Sequence, residues 1–293
     1  MKKILITGAE SYVGTSLERW LQKNEDSYLI ETVDTRTEAW KNMNFSAYDV
    51  VFHVAGIAHV DTSEISETEK KRYYSVNCDL AYEVARRAKE ENVGQFIFMS
   101  SMNVYGELTG ARNHKITLKT VPNPSNVYGD SKLQAEKKLK TLIGDDFQIV
   151  ILRPPMIYGK GSKGNYFILS KIARKTPIFP DVYNCRSMLH IDSLCEFIRL
   201  MIDNQEKGTF FPQNKEYVRT SDMVRLIAKM HGRRVIMIPG LDWMINLLGR
   251  VPGRIGKLTS KAFGSTQYDM QMSEYKEEYR MSNFVESIRR TER

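Results

Sequence analysis

The stretch that decides the fold is Lys3-Ile4-Leu5-Ile6-Thr7-Gly8-Ala9-Glu10-Ser11-Tyr12-Val13-Gly14, near the beginning of the chain. Its apolar, β-branched start predicts a strand, and the helical periodicity from Tyr12 onward predicts a helix. A glycine loop between a strand and a helix suits a pyrophosphate, because glycines let backbone N–H groups approach it and the helix N-terminus adds partial positive charge. The stretch therefore predicts a dinucleotide site with contacts from Gly8, Ser11, Tyr12, Val13 and Gly14.

Beyond this stretch, strand and helix signals alternate through the first half of the chain. Strands are predicted at residues 3–7, 29–33, 50–54, 95–99 and 148–152, and helices at 12–23, 67–92 and 126–143. Such alternation is typical of an α/β protein, and right-handed crossovers give it a doubly wound parallel sheet of the Rossmann type. We assign residues 1–155 to this dinucleotide-binding domain.

The strand–helix alternation loosens after Pro155. Helices are predicted at residues 165–175, 191–203, 221–231 and 241–248, with short strands at 210–212 and 235–238. No Gly/Ser-rich linker separates them from the first half. We therefore expect residues 156–293 to form mainly a smaller substrate-binding lobe, partly interleaved with the Rossmann domain.

The composition argues against several classes of protein. The three cysteines have neither zinc-site nor disulfide-framework spacing, and no pair of the five histidines has metal-ligand spacing, so no metal is expected. The apolar run before Thr7 is shorter than the roughly 7–15 residues of a signal-peptide core, and no stretch reaches the roughly 18 apolar residues of a membrane span. We therefore expect a cytoplasmic protein with reduced thiols.

The chain carries a formal net charge of +8, with basic residues dense toward its end. Either a solvated basic surface or an anionic partner would explain this charge. No nucleic-acid-binding motif is visible, so nucleic acid is not expected as a partner. A phosphorylated substrate is the simplest anionic partner.

Asp34 ends the second predicted strand, 20 residues after Gly14. An acid at this position accepts hydrogen bonds from the adenosine ribose hydroxyls and repels a 2′-phosphate, which favours NAD over NADP. Arg36 weakens this preference, because a nearby arginine can hold a 2′-phosphate. NAD is the expected cofactor, and NADP stays open.

Ser101, Tyr128 and Lys132 form a candidate catalytic group. Ser101 follows the fourth predicted strand, and Tyr128 and Lys132 are four residues apart on one face of a predicted helix. A free tyrosine, with a pKa of about 10, is a poor base near neutrality, but an adjacent ammonium and an oxidised nicotinamide lower that pKa. Ser101 can hydrogen-bond the same substrate oxygen, whose proton would pass to Tyr128 as a hydride leaves for the nicotinamide.

These features resemble the extended short-chain dehydrogenase/reductase family, and within it the NAD-dependent sugar epimerase/dehydratase group. The resemblance covers most of the chain. It rests on Thr7-Gly8 with Gly14, Asp34, residues 49–56, Val76-Asn77, Ser100-Ser101 with Val104-Tyr105-Gly106, and residues 128–132, 152–159 and 186–192. The family acts on nucleotide-diphosphate sugars, so a UDP-sugar or another nucleotide sugar is the implied substrate.

The resemblance implies a role for each candidate residue. Tyr128 is the catalytic base, Lys132 is its partner and anchors the nicotinamide ribose, and Ser101 donates to the substrate oxygen. Further cofactor contacts are implied for Ala55, Gly56 and Pro155.

The resemblance also implies residues outside the catalytic group. Asn77 corresponds to a structural asparagine on the long helix. Asn165 and Arg186 fall where the family contacts the sugar-nucleotide diphosphate, and the guanidinium fork of an arginine suits a phosphate. Family members often pair through a helix bundle that includes the Tyr128 helix, which implies a homodimer.

Three positions depart from the family pattern. Ser11 stands where the loop usually has a glycine, and a helix N-cap is one interpretation of it. Met156 stands where the family often has an asparagine that faces the substrate. Met102-Asn103 replace the Asp-Glu pair with which the 4,6-dehydratases eliminate water, so dehydration is disfavoured.

The remaining activities are 4-epimerisation and 4-keto reduction. An epimerase oxidises C4, turns the keto intermediate, returns the hydride to the other face and keeps its NAD bound, whereas a reductase releases its cofactor and commonly prefers NADPH. Asp34 favours the first, an NAD-dependent 4-epimerase of the UDP-hexose type that would serve surface polysaccharide synthesis. A non-catalytic NAD-sensing protein is a third hypothesis, disfavoured because Ser101, Tyr128 and Lys132 are intact.

Residues 241–261 are first apolar and aromatic and then basic. A helix packed on the substrate lobe explains this pattern, and we favour that interpretation. The alternative is an amphipathic element that touches a membrane, which would suit a lipid-linked sugar.

Overall fold

The computed structural model describes residues 1–24, 26–58, 65–106, 115–251, 253, 256, 259 and 262–293. Its strands are β1 (Lys2–Thr7), β2 (Tyr28–Val33), β3 (Val50–His53), β4 (Gln95–Met99), β5 (Lys115–Ile116), β6 (Gln148–Leu152), β7 (Met156–Tyr158), β8 (Ile178–Pro180), β9 (Met188–His190), β10 (Gly208–Phe210), β11 (Ile236–Ile238) and β12 (Gln267–Tyr268). Its helices are α1 (Tyr12–Leu21), α2 (Glu67–Tyr74), α3 (Leu80–Glu90), α4 (Val127–Lys140), α5 (Asn165–Ala173), α6 (Ile191–Asp203), α7 (Thr220–Met230), α8 (Asp242–Arg250) and α9 (Phe284–Glu292). None of these described helices has the length and apolarity needed to cross a membrane.

In the described part of the chain, six strands form one parallel sheet in the order β2-β1-β3-β4-β6-β10. Helices alternate with these strands, so the predicted doubly wound α/β fold is confirmed. The chain passes from β1 to β2 on one side and then returns to place β3 on the other side of β1. This reversal opens a crevice at the carboxyl ends of β1 and β3, where open α/β sheets bind their ligands.

Helices cover both faces of the sheet. α1 and α6 pack on one face, where Leu17 and Ile198 are fully buried. α3 and α4 cover the other face around Val84 and Leu139, which are also fully buried. Burial on both faces explains why the central strands are continuous apolar runs.

The second half of the chain contributes to the sheet as well as to the lobe. β10 pairs with β6, and α6 lies on the sheet beside α1. The lobe packs α5, α7 and α9 around an apolar core that includes Tyr158 and Ile227, next to the strand pairs β7-β9 and β8-β11. The domain boundary at residue 155 stays a prediction, and the sheet draws residues from both sides of it.

Some elements differ from those predicted. The helix predicted over residues 67–92 is interrupted by a π-helical segment, Ser75–Asp79. β10 ends at Phe210, so Pro212 lies outside it. The sequence does not predict α9. It also does not predict β7, β8 and β9, because each of these strands has only three residues and is too short for its periodicity to show.

Candidate active site

Two glycines shape the loop between β1 and α1. Gly8 has a φ of +97°, which L-residues with a side chain rarely adopt, and a Cβ on it would lie 2.8 Å from the backbone nitrogen of Ala55. A Cβ on Gly14 would lie 2.6 Å from the Ser11 Oγ. The loop therefore packs directly against the chain that leaves β3, with its backbone at the crevice.

Ser11 caps the N-terminus of α1, because its Oγ accepts the backbone N–H of Gly14 at 3.0 Å. The N-cap interpretation of this departure from the family pattern is therefore confirmed.

The N–H groups of Tyr12 and Val13 have no acceptor among the described residues. The Tyr12 hydroxyl is buried and likewise has no hydrogen-bond partner there, and its burial raises its pKa. The first turn of α1 therefore offers free donors to an anionic ligand.

Asp34 directly follows β2 and forms an ion pair with Arg36, whose Nη2 lies 2.7 Å from Oδ2. Hydrogen bonds from Arg36 lower the pKa of Asp34. The same guanidinium contacts Glu10 at 3.0 Å, so two carboxylates surround one cation. Glu10 is missed by the sequence reasoning, although its position two residues after Gly8 is a signal that could have found it.

Ser101, Tyr128 and Lys132 meet at the carboxyl end of β4. Ser101 follows β4 and Tyr128 lies in the first turn of α4, and the Ser101 hydroxyl lies close enough to the Tyr128 phenol to influence its pKa. Lys132, one turn further along α4, is only 3% exposed, and its Nζ donates to the carbonyl oxygen of Met99 at 2.8 Å.

Two further glycines allow this close approach. A Cβ on Gly129 would lie 2.3 Å from the carbonyl oxygen of Asn103. A Cβ on Gly106, which has a φ of +73°, would lie 2.3 Å from the carbonyl oxygen of Asn123. The start of α4 thus packs directly against the 3₁₀ turn that follows β4.

Burial dominates the pKa values of the catalytic group. It lowers the pKa of Lys132 to about 8, and the Glu136 carboxylate opposes this effect. It raises the pKa of Tyr128, against the Ser101 hydroxyl, which favours the phenolate. The lowering of the Tyr128 pKa that the sequence predicts needs an oxidised nicotinamide as well as the Lys132 ammonium, so it stays a prediction for the complex, while in the protein alone the pKa is raised. Desolvation of the phenolate is the larger effect here, since the Lys132 ammonium is directed at the Met99 carbonyl.

Gly56 closes the site from the side of β3. A Cβ on Gly56 would lie 3.2 Å from the Lys132 Nζ and 3.0 Å from the Asn77 Oδ1. Asn77, in the π-helical segment, is fully buried; it accepts the backbone N–H of Ile57 at 2.8 Å and donates to the Ser131 Oγ at 3.0 Å. Its amide ties the loop after β3 to α4, which agrees with the structural role implied by the resemblance. π-Helical segments are frequent at functional sites.

A buried polar network lies behind the catalytic group. Glu136 is 1% exposed and accepts the Nε–H of Arg153 at 2.9 Å and the hydroxyl of Ser100 at 2.5 Å. Arg153 also donates to the Tyr105 hydroxyl at 2.7 Å. The sequence reasoning misses the pairing of Glu136 with Arg153. The position of Glu136, four residues after Lys132 on the same helix face, is a signal that could have found it.

Arg186 lies in the lobe, where its backbone bridges to Val218 and Thr266. Its side chain is half-buried, and desolvation, the one influence found among the described residues, lowers its pKa to about 10. A desolvated cation with no carboxylate beside it is suited to an incoming anion.

The other predicted residues lie around the crevice and the lobe. Asn165 is exposed at the start of α5, Val13 is half-buried in α1, and Pro155 is buried between β6 and β7. Met156 opens β7 and packs against the lobe core. Among the described residues, no hydrogen bond joins Asn165 or Arg186 to Ser101, Tyr128 or Lys132. Within the described ranges, no three His, Cys, Asp or Glu side chains are grouped to hold a metal ion.

Known proteins share both the sequence and the fold of this chain. The model of the NAD-dependent epimerase/dehydratase family matches residues 4–212. A UDP-glucose 4-epimerase from Vibrio cholerae is 30% identical over 294 residues, which cover 92% of this chain and 88% of that protein. A dTDP-4-dehydrorhamnose reductase from Clostridium acetobutylicum has a TM-score of 0.74 at 18% identity, covering 99% and 98% of the two chains. A UDP-glucuronic acid 4-epimerase from Bacillus cereus, solved in complex with NAD, has a TM-score of 0.72 at 19% identity, covering 98% and 96%.

Proposed function

The chain belongs to the NAD-dependent epimerase/dehydratase family, and on that premise we propose that it is an NAD-dependent 4-epimerase of a nucleotide sugar of the UDP-hexose type. The observation that carries the proposal is the meeting of Ser101, Tyr128 and Lys132 beside Gly56, at the edge of the sheet where the dinucleotide crevice opens. The 30% identity to a UDP-glucose 4-epimerase supports the same reaction.

The residues around the crevice fit NAD. Gly8 has no room for a Cβ, and the N–H groups of Tyr12 and Val13 are free for a pyrophosphate. Asp34 and Glu10 suit ribose hydroxyls and oppose a 2′-phosphate, which favours NAD over NADP. When bound, NAD supplies a reversible hydride acceptor for the sugar C4.

The catalytic residues would handle the proton of the C4 hydroxyl. Tyr128 accepts this proton on its phenolate oxygen and returns it after the keto sugar has turned its other face to the cofactor. Ser101 donates a hydrogen bond to the same sugar oxygen. Lys132 carries a positive charge below pH 8 and stabilises the Tyr128 phenolate.

The lobe would hold the rest of the substrate. Arg186 supplies the cation for the diphosphate, because it is desolvated and has no carboxylate partner among the described residues. Asn165, exposed at the start of α5, is its proposed companion. A homodimer and a role in surface polysaccharide synthesis complete the proposal on the sequence resemblance alone, and a cytoplasmic location completes it on the apolar patterning of the chain.

A nucleotide-sugar 4-ketoreductase is the second candidate. Arg36 favours it, because its guanidinium is 70% exposed beside the position of the adenosine ribose and could pair with the 2′-phosphate of NADPH. The two carboxylates that already surround Arg36 oppose it. A non-catalytic NAD-sensing role is disfavoured by the intact contact between Ser101 and Tyr128.

The experiment that tests the proposal has two arms. Purified protein is denatured and its released nucleotide identified, and native protein is incubated with UDP-glucose or UDP-N-acetylglucosamine without added cofactor. Retained NAD together with the 4-epimer of either sugar is the expected result. Protein that is empty and oxidises NADPH with a 4-keto sugar would establish the reductase instead, and retained NAD without turnover of any nucleotide sugar would support the sensing role.

A further inference from the structure

The strand pair β8-β11 turns an apolar face to solvent. Ile178 pairs with Ile236, and these side chains are 55% and 60% exposed. Their alternating neighbours, Phe179 and Met237, pack into the lobe core. In an antiparallel or parallel sheet with one solvated face, that face normally carries polar side chains. Here the solvated face is built of isoleucines, including Ile238 at 36% exposure.

The helices next to this strand pair repeat the pattern. α8 buries Ile245 but exposes Trp243 and Leu247, four residues apart on one face, to 67% and 59%. α5 exposes Phe167 and Ile168 to 46% and 54%. The packed-helix interpretation of residues 241–248 therefore accounts for Ile245 and leaves the two larger side chains unexplained.

The elements that carry these exposed side chains are joined by strand pairing, by short connections and by one hydrogen bond. β8 follows α5 after four residues, and α8 follows β11 after three. The side chain of Asp242, at the start of α8, accepts the backbone N–H of Tyr183, which lies just beyond β8. We call the set the lobe apolar surface, which consists of Phe167, Ile168, Ile172, Ile178, Ile236, Ile238, Trp243 and Leu247.

The segments that carry the lobe apolar surface also carry the net positive charge of the protein. Residues 160–180 and 229–249 contain eight Lys and Arg against a single acid, whereas the rest of the chain has 35 Lys and Arg against 34 Asp and Glu. Cation and apolar groups share one helix face, because the Lys171 Nζ lies 4.3 Å from the ring centroid of Phe167.

We propose that the lobe apolar surface docks on an anionic phospholipid membrane, with its apolar side chains at the acyl boundary and its lysines and arginines on the headgroups. A second copy of the chain fits less well, because two-fold pairing would bring two strongly basic surfaces together. Nucleic acid would satisfy the cations but leave the isoleucines and Leu247 in water. An anionic bilayer satisfies both, and the proposal does not depend on the reaction that the protein catalyses.

The test is co-sedimentation of the full chain with phosphatidylcholine vesicles, with and without about 30% phosphatidylglycerol, at low salt. We expect binding to the anionic vesicles that weakens as salt is added, with a blue shift of tryptophan emission that Trp243→Phe abolishes. Trp243→Ser/Leu247→Ser and Lys171→Glu/Lys175→Glu should each weaken binding about tenfold or more. All four side chains are exposed, so the thermal unfolding of these variants should match that of the unchanged protein.

Matched controls come from exposed residues elsewhere. Leu118→Ser/Val121→Ser removes apolar side chains that are 77% and 78% exposed, and Lys140→Glu/Lys207→Glu reverses two exposed charges. Both controls should bind as the unchanged protein does. Absence of binding to anionic vesicles, or equal losses in control and test variants, would overturn the proposal. So would a dimer that Trp243→Ser/Leu247→Ser dissociates, or binding to a short RNA in preference to the vesicles.

Discussion

Lys132 combines deep burial with a positive charge that the proposed reaction needs. Burial lowers its pKa to about 8, so the ammonium is present at neutral pH and is lost as the pH rises through that value. The charge favours the phenolate of Tyr128, whereas burial raises the pKa of the Tyr128 hydroxyl. The two groups therefore respond to alkaline pH in opposite ways, since Tyr128 gains its base form while Lys132 loses its charge.

The pH dependence of kcat/KM follows from the Lys132 pKa. We expect kcat/KM to fall above about pH 8, because this parameter reports groups of the free enzyme and Lys132 is neutral there. The measurement is kcat/KM for the nucleotide sugar between pH 6 and pH 10 at constant ionic strength. A steady rise through this range would mean that deprotonation of Tyr128 limits the reaction and that the charge on Lys132 does not.

Tyr128→Phe removes one hydroxyl and keeps the ring. We expect kcat to fall by about 10²–10⁴-fold, because the proposed proton acceptor is lost while the glycine loop proposed to bind the cofactor is untouched. Turnover and the amount of NAD that co-purifies are measured side by side. Tyr183→Phe, at a side chain that is 64% exposed, is the matched control and should change neither. Near-normal turnover by Tyr128→Phe would rule out the proposed base.

At the scale of elements, Gly129 is one of the two glycines that let the start of α4 pack closely against the chain after β4. A Cβ on Gly129 would lie 2.3 Å from the carbonyl oxygen of Asn103, which is backbone and cannot rotate away. Gly129→Ala gains about 1 kcal/mol of helix propensity but overpacks this contact at a cost of about 1–3 kcal/mol. We therefore expect a net loss of stability. We also expect kcat to fall, since the shift of α4 moves Tyr128 away from Ser101. Thermal unfolding and kcat are measured together.

The control for Gly129→Ala is Gly94→Ala. A Cβ on Gly94 would meet no atom closer than 3.7 Å, an ordinary contact, so both stability and kcat should stay near their original values. If Gly129→Ala is as active as Gly94→Ala, the contact between α4 and the 3₁₀ turn does not position the catalytic group.

The long elements could be predicted from the sequence, because their periodicity extends over several turns or a whole strand. β4, β6 and α6 have the predicted bounds. The π-helical segment Ser75–Asp79 could not be predicted from the sequence, because its side-chain pattern is that of a continuous helix. The interruption coincides with the buried amide of Asn77, whose partners Ile57 and Ser131 are 20 and 54 residues away in the chain.

Contacts between residues that are distant in the sequence also limit what could be predicted of the candidate site. Ser101, Tyr128 and Lys132 follow recognisable motifs, and the structure brings them together. The pairing of Arg36 with Glu10 joins residues 26 apart, and it exists because β1 and β2 are neighbours in the sheet. Contacts of this kind depend on the tertiary fold, so the sequence supplies the residue types without their partners.

At the scale of the whole molecule, the sheet needs both halves of the chain. α6 buries nine of its 13 residues, and most of them complete the core that α1 shares with β1, β3 and β4. Phe197 in this helix also packs against Tyr279, with ring centroids 4.6 Å apart, so the end of the chain returns to the same core. The predicted division at residue 155 therefore cuts through one apolar core.

A fragment of residues 1–155 tests how far this core is shared. It retains Gly8, Ser101, Tyr128 and Lys132 but lacks α6, whose large apolar side chains include Leu194, Phe197, Ile198, Leu200, Met201 and Ile202. Burial of one such side chain contributes about 1.5–3 kcal/mol, so the loss of these six removes about 9–18 kcal/mol, comparable to the roughly 5–15 kcal/mol stability of a whole domain. We expect the fragment to show no cooperative thermal transition and no NAD binding, by circular dichroism and calorimetry, where the full chain shows both. In the full chain, Phe197→Ala, at a 2% exposed side chain, should cost about 3–5 kcal/mol, and Phe167→Ala, at a 46% exposed one, less than about 0.5 kcal/mol. A fragment that melts sharply and binds NAD would show instead that the first half folds alone and that α6 is an addition to a complete domain.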